Sequence, residues 1–126
     1  MKFRNIIFIT AVLTFINGIS LLAVPGMFMG ILGGNLTGSG LMIARFAGAC
    51  ALGLSLVLWQ VRNIQASPMQ RSITGIMLGV MLALVLIDLH GILTGAVNQM
   101  GWIILSTDLL VAVGFAFVLY TGTMKS

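Results

Sequence analysis

The chain predicts an all-α fold: a four-helix transmembrane bundle with both termini cytoplasmic, built as a single membrane domain over residues 1–126. Three observations predict it. Hydrophobic residues make up 60% of the chain and charged residues 6%, against roughly 25% charged in a soluble domain, so this composition cannot coat a water-soluble globule. Four stretches reach the ~20 mostly apolar residues that a helix needs to cross ~30 Å of hydrocarbon. Alternating strand-like polarity, the mark of a membrane barrel, is absent.

The spans are read as residues 6–24, 41–60, 73–93 and 101–120. Ile6 to Val24 carries no charge, and Pro25-Gly26 stops it. Between the first two spans, residues 25–40 hold six glycines. The apolar first half of this loop, Pro25 to Leu32, predicts a short interfacial helix, because proline suits a first helical turn. Leu41 to Gln60 forms the second span, and Pro68 lies in the linker before the third, Ile73 to Leu93. Gly101 to Tyr120 completes the set. Small residues on the helices suggest close packing, above all Gly75-x-x-x-Gly79 and the stripe Ala47, Ala51 and Ser55.

Orientation follows from the cations outside the spans. Lys2, Arg4, Arg62, Arg71 and Lys125 fall on one side, whereas the loops 25–40 and 94–100 carry no charge. That bias places both termini in the cytoplasm. Trp59, Trp102 and Tyr120 sit at span ends, where aromatic rings anchor at the interface. Met1-Lys2-Phe3-Arg4 before an apolar run has the look of a secretory signal. The apolar run is longer than a signal core of 7–15 residues, and Leu21-Leu22-Ala23 lacks the paired small residues of a cleavage site. The first span is therefore expected to be retained.

The formal charge of +4 arises from six scattered cations, which do not form the clustered basic face of a nucleic-acid module. A single cysteine, Cys50, excludes an intramolecular disulfide, a redox pair and a cysteine-based zinc site. Neither a metal nor a cofactor is expected.

Three charges remain within the spans: Arg45, Asp88 and Asp108. Each costs ~2.5–3.5 kcal/mol at a span centre, so they mark the positions where function could reside. At ~1.5 Å per residue all three fall in the outer half, with His90 near the mouth and Asn17 reaching the same level from the first span. Arg45 with Asp108 is the expected pair, since an ionised pair offsets most of the penalty each bears alone. Two alternatives stand beside it: Arg45 snorkels to the headgroups, or the cluster forms a site for an ion, proton or small polar ligand. Asp88 and His90 point about 160° apart in helical phase, so both cannot face the bundle centre unless the helix distorts, which Gly91 and Gly95 would allow.

Pro25 after the first span, Arg45-Phe-Ala-Gly48 opening the second, Asp88-Leu-His-Gly91 closing the third, and Asp108 in the fourth occur in that order. This layout resembles small uncharacterised bacterial four-helix membrane proteins of the DoxX-like type, over most of the chain. The resemblance implies a bundle in the bacterial inner membrane with an Arg–acid contact, and some relatives associate with redox enzymes. The leading functional expectation is a non-enzymatic accessory or packing subunit. Its partners would be lipid, other membrane subunits or further copies of the chain. The alternatives are a small carrier or proton-linked binding protein using the outer-half cluster and, more weakly, a quinone-linked redox subunit.

Overall fold

The computed structural model describes residues 2–121 and is all-helical over them. Helix α1 spans Phe3–Ala23, α2 Pro25–Ile31, α3 Ser39–Val61, α4 Pro68–Leu93 and α5 Gly101–Thr121. The four long helices match the expected spans, extending the first and third at their starts. Each is long and apolar enough to cross a bilayer. The short α2 forms where the apolar, proline-led half of the first loop predicts it, with Pro25 at its N-terminal turn. Lys125 lies outside the described residues.

The helices pack as two antiparallel pairs, α1 with α3 and α4 with α5. Lighter contact between α1 and α5 joins the pairs, so adjacency runs α3–α1–α5–α4 and the flanking helices barely meet. The N-terminus of α1, the C-terminus of α3, the start of α4 and the end of α5 gather at one end, called here the terminal end. The opposite end carries α2 and the α4–α5 loop.

Packing is uneven along this axis. The core consists of Phe3, Ile6, Ile7 and Ala11 from α1, Leu58 from α3, Met77 and Met81 from α4, and Val111, Ala112, Phe115 and Val118 from α5. Nearly all of these sit in the half nearer the terminal end. Toward the far end α1 leaves Phe15, Ile16 and Ile19 exposed. The terminal end is also tied by polar contacts. Ser67 caps α4 by accepting the Gln70 N–H at 3.3 Å, and the buried Gln70 amide donates to the Ile64 carbonyl at 3.0 Å. This Ser67-Pro-Met-Gln70 sequence places the helix start and fastens the preceding loop to it.

Several hydroxyls among the described residues bond within their own helices. Those of Thr10, Ser20, Thr74, Ser106 and Thr107 each donate to the carbonyl four residues back, and Ser55 donates to Leu52. Helix-to-helix adhesion in these regions rests on shape. Its tightest point is the crossing of α1 and α3. A Cβ on Gly18 would stand 2.7 Å from the Leu52 nitrogen, and one on Gly48 would stand 2.6 Å from the Leu22 nitrogen. The expected close-approach motif, Gly75 and Gly79, serves no such purpose: a Cβ on either meets nothing within 4 Å. Of the small stripe on the same helix as Gly48, Ser55 is buried, but Ala47 is exposed.

These clearances predict a sharp contrast between glycines. Gly48→Ala should destabilise the fold by about 1–3 kcal/mol, the range for overpacking a tight contact. Gly79→Ala should be neutral or slightly stabilising, since alanine is the better helix former. Reversible unfolding of purified protein in detergent, followed by circular dichroism, measures both.

Candidate functional site

The charged residues of the spans lie in the loosely packed half. Asp88 stands five residues before the end of α4, and Asp108 seven residues after the start of α5. Because these helices run antiparallel, the two positions come level, and the carboxyls meet within hydrogen-bonding reach. Both residues are partly buried. Asp88 Oδ2 is shut off from solvent and accepts no hydrogen bond from an N–H or hydroxyl among the described residues. The two acids face each other across the α4–α5 seam.

Arg45 is elsewhere. Its side chain is exposed on α3, in an open groove of about 390 Å³ lined by Gly38, Leu41, Met42, Phe46 and Ala49. Leu58, the α3 residue in the core, lies 13 positions on, which is about 140° of helical phase away. Among the described residues Arg45 makes no ion pair and no side-chain hydrogen bond, and the expected contact with Asp108 is not formed. The physical reason is the order of packing: α1 separates α3 from α5, so equal depth along the axis does not bring the side chains together.

His90 is exposed in the last turn of α4, where its carbonyl accepts the Thr94 hydroxyl at 2.7 Å. Its imidazole lies well round the helix from the partly buried Asp88, as the phase difference requires. Asn17 is exposed on α1 and forms no side-chain hydrogen bond among the described residues. Of the five candidate residues, only Asp88 and Asp108 are brought into contact. No group of three or more His, Cys, Asp or Glu side chains suited to a metal ion occurs among the described residues.

Asn98 is a structural polar residue that the sequence reading passes over. Its amide donates to the Ile31 carbonyl at 3.0 Å, and its backbone N–H donates to the Leu32 carbonyl at 2.8 Å. Its Oδ1 accepts the Met100 N–H at 2.9 Å. The chain end of α2 is thereby fastened to the α4–α5 loop. Gly33 makes the contact feasible: its φ is +82°, and a Cβ there would lie 3.3 Å from Asn98. No local motif marks Asn98; its polarity within an uncharged loop is the only available signal.

Comparison with protein-family models, curated proteins and solved structures finds no match to this chain.

The Asn98 latch can be tested directly. Asn98→Ala should raise amide hydrogen exchange at Gly33 and Gly34 and lower stability by about 1 kcal/mol, the usual net value of a hydrogen bond. Exchange read by mass spectrometry on protein in detergent should show the change concentrated at the end of α2 and in the α4–α5 loop.

Proposed function

We propose that this chain is a small multi-pass membrane protein that acts as an accessory subunit, binding partner transmembrane helices at its loosely packed half. The observation that carries this reading is the separation of opposite charges within the spans. Arg45 faces outward without a counter-charge, and the Asp88–Asp108 pair has no cation among the described residues. Each charge left alone in hydrocarbon costs ~2.5–3.5 kcal/mol. A partner helix carrying the opposite charge offsets that cost and selects the correct face, so charge complementarity supports a binding role.

The membrane is proposed to be the bacterial cytoplasmic membrane, with both termini inside. Lys2, Arg4, Arg62 and Arg71 all belong to the terminal end, while the opposite loops are uncharged. The DoxX-like layout of the sequence agrees with that placement. Cysteine labelling tests orientation: in a Cys50→Ser background, Gln65→Cys should react only from the cytoplasmic side and Asn35→Cys only from outside. The reverse pattern overturns the proposed orientation.

Association is tested by site-directed cross-linking in native membranes, using a photoreactive residue at Met42 beside Arg45 and another at Leu109 beside Asp108. A discrete adduct is expected, reduced about tenfold by Arg45→Ala or by the double change Asp88→Asn with Asp108→Asn, which is the effect of ~1.4 kcal/mol. Adducts that are absent, or that persist undiminished in the variants, overturn the reading.

The contact of Asp88 with Asp108 favours a second reading, a proton- or cation-linked binding site. Two carboxyls facing each other present oxygens that suit a proton or a small cation. Here Asp108→Asn should abolish proton or sodium flux into liposomes containing the purified chain. Equal flux in wild type, variant and empty liposomes discards this reading.

A further inference from the structure

At the terminal end, a second concavity lies between the start of α1 and the end of α3. It encloses about 580 Å³ and is lined by Lys2, Arg4, Asn5, Phe8, Trp59 and Arg62. Three of the six lining residues are cations. No acid offsets them, because the chain's only two acids, Asp88 and Asp108, sit in the opposite half. The cavity is therefore strongly biased toward anions.

Its walls are organised. Arg62 is partly buried, with its guanidinium carbon 3.8 Å from the Trp59 ring centroid and one N–H donated to the Trp59 carbonyl. Stacking and hydrogen bonding hold the planar fork in place, which leaves further N–H groups for a ligand. Trp59 in turn packs on Phe8, ring centroids 5.6 Å apart, across the α1–α3 seam. This aromatic pair separates the basic cavity from the apolar helix surface. From Phe8 that surface continues along one stripe of α1 through Val12, Phe15 and Ile19, all exposed. Eleven residues of helix make the stripe roughly 16 Å long.

Both halves of this arrangement match one kind of molecule. Arginine and lysine recognise phosphate oxygens, and basic pockets between membrane helices hold anionic headgroups. We propose that the cavity formed by Lys2, Arg4, Asn5, Trp59 and Arg62 binds the phosphate of an anionic phospholipid, one of whose acyl chains lies along the Phe8–Val12–Phe15–Ile19 stripe. The site depends on the chain residing in a bilayer and is independent of any partner helix at the far end.

Native mass spectrometry of the purified full chain tests the assignment, with phosphatidylglycerol, phosphatidylcholine and inorganic phosphate as separate probes. Phosphatidylglycerol should be retained in preference to phosphatidylcholine. The double change Arg4→Gln with Arg62→Gln should weaken that retention on the order of tenfold or more, since each basic side chain near a membrane surface adds materially to attraction for anionic lipid. Arg71→Gln removes a cation from the same end but outside the cavity, and should leave retention nearly unchanged. Arg62→Lys keeps the charge while removing the planar fork, so an intermediate loss is expected in a variant whose fold is least disturbed. Equal retention of the two lipids overturns the proposal. So does an Arg71→Gln effect as large as that of the double change, which would mean diffuse attraction rather than a site. Displacement of phosphatidylglycerol by millimolar inorganic phosphate, with no effect of Phe15→Ser, would show a free-phosphate site and overturn the lipid assignment.

Discussion

The crossing of α1 over α3 at Gly18 and Gly48 governs the rest of the molecule, because it sets how close two backbones come and hence where every neighbouring side chain can reach. With no Cβ at either position, the backbone of each helix stands where a side chain would otherwise begin. Dispersion contacts accumulate over such a surface, and close approach of this kind is the main adhesive between helices in lipid. Arg45 stays exposed on α3 even though Gly48 and Leu52 of the same helix form the crossing.

A second consequence is the division of labour along the axis. Aromatic and β-branched residues crowd the terminal half, where Phe3, Ile6, Ile7, Phe115 and Val118 are almost wholly buried. The charged side chains within the spans occupy the opposite half, where burial is shallow, while the buried polar groups Thr10, Ser55, Gln70 and Thr74 sit in the dense half. Burying a polar group is tolerable where a hydrogen bond satisfies it, and in the dense half the Thr10 and Thr74 hydroxyls and the Gln70 amide each donate one. The dense half supplies cohesion, and the loose half retains groups whose interactions the chain does not complete by itself.

Much of the architecture was legible in the sequence because long apolar runs and their glycine and proline boundaries are local signals. Pro25 announced α2, whereas Pro68, read as part of the linker, in fact opens α4 five residues before the expected start at Ile73, with Ser67 as its cap. Asp88 is partly buried and His90 exposed on the same helix. Lateral neighbours were a different matter. Depth along a helix can be counted, but which helix stands beside which cannot, and the Arg45–Asp108 expectation relied on the second. Gly75 and Gly79 have the spacing of a contact motif yet face open space, whereas Gly18 and Gly48 are 30 positions apart and show no pattern until the helices cross. Asn98 likewise acquires its partners, the Ile31 and Leu32 carbonyls, only from tertiary structure. The cation bias of the terminal end was visible as a topology signal; its focusing into a walled cavity by Trp59 and Phe8 was not.

The inward-turned hydroxyls carry an implication for mechanics. Thr10, Ser20, Ser55, Thr74, Ser106 and Thr107 each spend their hydrogen on their own helix, so none of them rivets one helix to the next. Sliding or splaying at those places sacrifices contact area gradually instead of rupturing bonds one at a time. Cohesion between the two helix pairs therefore rests on the dense terminal core and, at the far edge, on the Asn98 bonds to the Ile31 and Leu32 carbonyls.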